Sequence, residues 1–269
     1  MTSLACTLSV DSRGPSAIYL MSDSRVSWQH SGATWDAVQK CHVSRRTADL
    51  FAFCGDVVYP PYLISQVVQQ LDAGMADGMD ALQRHEFVYT AIRSTFARRH
   101  SAPSPLGYSI LHASRGRTGL ASIFSIWRMQ YWHSTGRWSN TPLKLDQVHS
   151  YLAYIDGTGA PHIRQFSGTF EKTRAKGTSR AAMWGFMDAL QSGNDPSTGG
   201  PPQIVGLTRQ GAGKMFGVVW QGRRYFAGLH VPATGAVEQA EWFNANFERC
   251  DPISKRLLKG AKVQPRPAP

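Results

Sequence analysis

Gln39-Lys40-Cys41-His42-Val43-Ser44, then Arg45-Arg46-Thr47-Ala48-Asp49, then Leu50-Phe51-Ala52-Phe53-Cys54-Gly55-Asp56 is the stretch on which the fold turns. Two strand-like runs flank a polar turn, and the second run stops at Gly55-Asp56, which reads as a pair of neighbouring strands. The period then changes. Leu63, Ile64, Val67, Val68 and Leu71 recur at helical spacing, as do Leu82, Val88, Ala91, Ile92, Thr95 and Phe96, so two consecutive amphipathic helices follow. Upstream, Leu4 to Val10 and Ala17 to Met21 flank Asp11-Ser12-Arg13-Gly14-Pro15, whose turn chemistry predicts a hairpin. Downstream, strand patterns return at Tyr108 to Ala113, Ala121 to Tyr131 and Tyr151 to Ile155, before a helix over about Ser179 to Gln191. Gln203 to Thr208 and Lys214 to Trp220 enclose a turn at Arg209 to Gly213, and Arg224 to Leu229 adds a third strand. Segregated runs of this kind favour an α+β layered sandwich over a doubly wound parallel sheet.

The 269 residues, 42% of them hydrophobic, suffice for a large core. The longest apolar runs, such as Ser16 to Met21, fall far short of the roughly 20 residues a membrane span needs, so no membrane association is expected. Met1 to Thr7 has neither a basic region nor a long apolar run, and the chain reads as cytoplasmic. Cys6, Cys41, Cys54 and Cys250 are scattered without a CxxC pair and read as buried thiols. The nine histidines, among them His30, His42, His85, His100, His112 and His133, show no ligand spacing, so neither metal nor cofactor is expected. A net charge of +11 raises nucleic acid as a partner, but the charge is dispersed and reads as a solvated basic surface. The densest run, Lys255 to Arg266, ends in Gln264-Pro265-Arg266-Pro267-Ala268-Pro269 and reads as a disordered tail.

Six short motifs carry chemistry. They are Met1-Thr2-Ser3, Ser22-Asp23-Ser24-Arg25, Gln39-Lys40-Cys41, Phe53-Cys54-Gly55-Asp56, Asp156-Gly157-Thr158-Gly159 and Asp195-Pro196-Ser197-Thr198-Gly199-Gly200. None is specific alone. In this order and at these separations the set resembles proteasome β-type subunits and their simpler bacterial, HslV-like relatives in the N-terminal-nucleophile hydrolase family. The last two motifs carry Thr where the family carries Ser, so a hydroxyl is kept. The resemblance covers about residues 2 to 231, apart from the Trp-rich Trp127 to Trp138 segment. It implies a domain over 1–231 with a Trp-rich insertion at about 120–145, followed by a C-terminal helical extension and basic Pro-rich tail over 232–269. It also implies a four-layer α-β-β-α sandwich of two antiparallel sheets flanked by helices.

By that resemblance Thr2 is the nucleophile once Met1 is removed, and the reaction is amide hydrolysis through an acyl-enzyme. A threonine hydroxyl is a poor nucleophile, but an α-amine on the same residue, with a reference pKa of about 7.7 to 8.0, can accept its proton. Lys40 beside that hydroxyl would favour the alkoxide, and Asp23 would keep Lys40 charged and aimed. The N–H of Gly55 would serve as oxyanion donor, a role worth about 3 to 4 kcal/mol. Thr158, Asp195 and Thr198 would orient the amine and its water. Peptide or protein is the leading substrate class, with a small-molecule amidase as the variant. A homo-oligomer, ring or stacked ring, with room for a regulatory partner protein, is the implied assembly. The rival readings are a catalytically silent scaffold of the same type and a basic nucleic-acid-associated module.

Other signals lead nowhere. Gly211-Ala212-Gly213-Lys214 lacks the earlier glycine of a phosphate loop and reads as a turn. Cys6 lies inside the first strand with no partner histidine implied. Trp127, Trp132 and Trp138 form either an exposed hairpin for a partner or an aromatic sheet face packed at home.

Overall fold

Strand β1 (Leu4–Asp11) and strand β2 (Gly14–Ser22) pair because the Asp11 carboxylate accepts the Arg13 N–H at 2.8 Å and Gly14, at φ +100°, closes the turn. A computed structural model of the chain describes residues 2–28, 32–99, 106–232, 237–263 and 265–267. Met1, His30, His100 and Gln264 therefore lie outside the described residues. After a short ladder of β3 (Val26–Ser27) with β4 (Thr34–Trp35) come β5 (Cys41–Val43) and β6 (Asp49–Gly55). Helix α1 (Pro60–Asp72) starts on a proline, and α2 (Ala81–Ala97) starts on a capping box in which Asp80 and Gln83 satisfy each other's backbone N–H. Then follow β7 (Tyr108–Gly116), β8 (Ile123–Trp132), β9 (Arg137–Pro142), β10 (Tyr151–Asp156), α3 (Ala160–Phe170) and α4 (Ser179–Ser192). Strands β11 (Gln203–Thr208), β12 (Lys214–Trp220), β13 (Arg223–Phe226), β14 (Leu229–His230) and β15 (Trp242–Asn244) complete the order.

The larger sheet runs β10-β1-β2-β11-β12-β13-β14, with β15 joined to β12 in parallel, and the second runs β5-β6-β7-β8-β9. Alternation puts Leu4, Cys6, Leu8, Ile18 and Leu20 against Leu50, Ala52, Leu111 and Ile126, which joins the two sheets through an apolar cluster. On the other side of β6 and β7, Phe51, Phe53 and Ile110 meet Ile64, Val67, Val88 and Ile92 of the first helix pair. Ala5, Met21 and Ile204 meet Met183, Phe186 and Leu190 of α4.

The expected four-layer α-β-β-α sandwich of two antiparallel sheets is corrected by this arrangement. The described chain is predominantly antiparallel sheet, with fifteen strands in three sheets and only four α-helices. The physical reason lies in the segments outside the strong periodicities. The Trp-rich segment extends the second sheet, because Trp127 and Trp138 pack on its faces while the β8–β9 turn carries the half-exposed Trp132. The described residues after Pro232 include no α-helix of the expected extension. Among the described residues they hold one 3-10 turn, Val237–Gln239, and strand β15, anchored by the Trp184 indole N–H donating to the Asn246 carbonyl at 3.0 Å. Of the tail expected to be disordered, Gln264, Ala268 and Pro269 lie outside the described residues, and Arg266 pairs with Asp188 of α4 and sits 5.3 Å from the Phe170 ring centre.

Candidate active site

The strand ends determine what meets what. Thr2 lies two residues before β1, Asp23 immediately follows β2, and Lys40 immediately precedes β5, so three chain segments converge at one end of the sheets. All three residues are fully buried. The Lys40 ammonium donates to Thr2 Oγ1 at 3.1 Å, to Asp23 Oδ1 at 2.8 Å and to the Arg25 carbonyl at 2.5 Å. Three N–H donors thus meet three acceptors, the full capacity of a charged lysine. The Lys40 nitrogen thus sits within hydrogen-bond reach of the Thr2 hydroxyl.

Asp23 is fixed as tightly. Its Oδ1 also accepts the Ser3 N–H at 3.0 Å, and its Oδ2 accepts the N–H groups of Arg25 and Gly199, each at 3.1 Å. Four hydrogen bonds to this carboxylate offset part of the desolvation cost of burying an ion pair. Gln203 completes the surround. Its Oε1 accepts the Lys40 N–H at 3.0 Å, and its Nε2 donates to the Ser24 hydroxyl at 2.8 Å and the Val38 carbonyl at 2.7 Å.

The remaining expected residues are placed differently. Asp195 and Thr198 lie in the turn behind Asp23. The Thr198 hydroxyl donates to the Asp195 carbonyl at 3.3 Å, and Asp195 Oδ1 accepts the Ser197 N–H at 2.8 Å. Arg25 clamps this turn, donating to the carbonyls of Pro196 and Thr198 while its Nε and second terminal nitrogen grip Asp36 at 2.7 and 2.8 Å. Gly199 must lack a side chain, since a Cβ there would come within 2.6 Å of the Arg25 guanidinium. Asp195 and Thr198 therefore support the Asp23 side of the site and do not reach Thr2 through any of these bonds.

Gly157, Thr158 and Gly159 lie on the opposite side. The Gly159 N–H donates to the Thr2 carbonyl at 3.2 Å, and a Cβ on Gly157, which has φ +86°, would fall 2.0 Å from that same oxygen. Thr158 is exposed beside them and shares a groove with Gly55, whose φ is +100° and whose own Cβ would fall 2.4 Å from the Gly107 carbonyl. Sequence reasoning had no means of finding Ser3, Gln203 or Asp36 as parts of this site. Each acts through backbone contacts or a second partner, and only the Gly199-Gly200 doublet signalled a close approach.

No family model matches this chain, and no curated protein does either. The site is therefore read on its own geometry. Cys6, considered as another nucleophile, is buried in the core between the sheets, and burial pushes its thiol far above the usual range. All four cysteines are free and buried. Among the described residues no cluster of His, Cys, Asp and Glu is arranged to hold a metal ion, and no helix is long and apolar enough to cross a membrane.

Proposed function

We propose that the chain is a threonine-dependent N-terminal-nucleophile amide hydrolase, a proteasome-like peptidase acting in the cytoplasm through an acyl-enzyme on Thr2. The observation that carries this reading is the buried Lys40 ammonium bonded at once to Thr2 Oγ1 and Asp23. A buried ion pair is a poor device for stability, so one that ends on a hydroxyl calls for a chemical reason.

In the proposed reaction the Thr2 nitrogen, a free amine once Met1 is gone, takes the hydroxyl proton as Oγ1 bonds to the substrate carbonyl carbon. The Lys40 charge stabilises the forming alkoxide, and the Gly55 N–H takes the oxyanion role. The carbonyl C–N bond then breaks, the proton passes to the departing amine, and an ester remains on Thr2. Water, deprotonated by the same amine, cleaves that ester and restores the hydroxyl. Homo-oligomerisation and peptide or protein substrates belong to the same proposal, supported by the resemblance and by the motifs' convergence.

The test is hydrolysis of a fluorogenic peptide panel by protein whose intact mass has been measured. Protein beginning at Thr2 should turn over. Protein retaining Met1 and the Thr2→Ala variant should both be inert, whereas Thr2→Ser should keep part of the activity. Equal turnover by Thr2→Ala would remove the nucleophile.

A further inference from the structure

A groove of about 540 Å³ begins at the turn that touches Thr2 and runs away from it. Gly55, Gly157, Thr158, Ser109 and Asp156 line it together with Trp132 at the end of β8 and His133 and Ser134 of the turn that follows. Its polar groups are incompletely matched. Gln130 Oε1 and His133 Nδ1, both on residues lining the groove, have no hydrogen-bond partner among the described residues. A buried polar group left unmatched costs about 1–3 kcal/mol, so a ligand that hydrogen-bonds to these two would recover part of that cost. Register adds to this: Gln130 lies opposite Ser109 on one side and Ser139 on the other, and the Ser139 hydroxyl is likewise unmatched.

The charge of the lining has one sign. Among the described residues no Lys or Arg lines the groove, and Asp156 is the single carboxylate there. Burial works to raise the Asp156 pKa, but hydrogen bonds from Tyr154, the Gly157 N–H and Ser109 outweigh it and hold the carboxyl below its ordinary value. Orphaned oxygens, an amide that can turn to present either end, and one anion together favour a partner rich in N–H or O–H donors.

We infer that this groove is a side-chain subsite of the hydrolase, selecting a substrate residue that donates hydrogen bonds, with Gln130 as its specificity-determining residue. The inference rests on the reading of Thr2 as nucleophile only for the word substrate; the groove's selectivity is measurable without turnover. The β8–β9 hairpin that supplies Gln130, Trp132 and His133 lies in the Trp-rich segment. The selectivity thus belongs to a part of the chain outside the motifs of the reacting centre.

The experiment uses the Thr2→Ala protein, which cannot turn over, and four peptides identical except for one residue: Gln, Lys, Glu or Met. Binding is read by calorimetry and by the fluorescence of Trp132, which is 49% exposed at the groove wall. The Gln and Lys peptides should bind about tenfold more tightly than the Met peptide, and Glu should bind no better than Met. Gln130→Met should reduce the Gln advantage to within about twofold without weakening the Met peptide. Gln130→Glu, which keeps the acceptors and adds charge, should widen the Lys advantage and guards against misfolding of the first variant. Equal affinity for all four peptides overturns the subsite. So does a Lys advantage that survives Gln130→Met and disappears in Asp156→Asn, because it assigns the selection to Asp156 alone. Wild-type protein that hydrolyses peptides without selection would leave the nucleophile in place and remove the subsite. Selective binding with no wild-type hydrolysis would do the reverse.

Discussion

Asp23 receives four hydrogen bonds and Lys40 gives three, so removing either charge has a structural consequence as well as a chemical one. Lys40→Ala leaves a fully buried carboxylate without its counter-charge, which costs about 3–5 kcal/mol. Asp23→Asn strands the ammonium similarly and turns an acceptor into a donor facing other donors. Both variants should lose hydrolysis and also unfold at lower denaturant concentration, while Lys40→Arg tests whether charge alone suffices. Full activity in either neutral variant would separate the pair from the chemistry. Thr2, Asp23 and Lys40 were singled out by the ordered motifs that resemble the proteasome-type family, since a lone aspartate or lysine at a strand end reads as a solvated surface group; the structure brings the three into contact. Gln203 was not legible, since a glutamine opening an apolar strand gives no sign that both ends of its amide will be engaged.

At the scale of elements, strong periodicity was readable and weak periodicity was not. The β1–β2 hairpin, the β5–β6 pair, α1, α2 and α4 all follow apolar patterns of period 2 or 3.6, and the structure has elements there. Helix α3 was missed because its eleven residues, Ala160–Phe170, bury only Ala160, Ile163 and Phe170. Strand β15 was missed because three residues carry no period at all, and a parallel partner 25 residues away gives no local turn signal. Two histidines on these elements set an acid limit. Burial pushes His42 on β5 down to about 4, with the Gln39 carbonyl opposing weakly. His85 on α2 is pushed down to about 4, first by burial and then by His112, whose Nδ1 lies 3.0 Å from its own Nδ1. Both are neutral in the folded protein at pH values where the unfolded chain binds a proton, so their contribution is full above about 6.5 and is lost as pH falls toward 4. The urea midpoint should therefore fall steeply between pH 6.5 and 4. His42→Gln should flatten that fall, and an unchanged slope would show that His42 titrates normally.

At the scale of the whole molecule, the end of the densest basic run meets α4. Arg266 pairs with Asp188 and stacks near Phe170 and Trp184, and the Lys262 carbonyl accepts from Arg180. Partly exposed contacts of this kind are worth about 1 kcal/mol each at most, so cutting the chain after Gly260 should lower the melting temperature by about 2–6 °C. Light scattering on both forms should give the same assembly, larger than the 29.7 kDa monomer, because the proposed rings do not use the tail. A monomer in the full chain would remove the proposed assembly, and an unchanged melting temperature would free the tail from α4. The central claim is that one residue supplies nucleophile and base, and covalent labelling addresses it directly. An epoxyketone that closes a ring on both the hydroxyl and the amine of an N-terminal threonine is incubated with the protein, and the adduct is located by peptide mass mapping. The account predicts a single adduct at Thr2 through both atoms, with loss of hydrolysis in proportion to labelling and no adduct in Lys40→Ala. An adduct elsewhere, or full hydrolysis with Thr2 unlabelled and Met1 still attached, would contradict it.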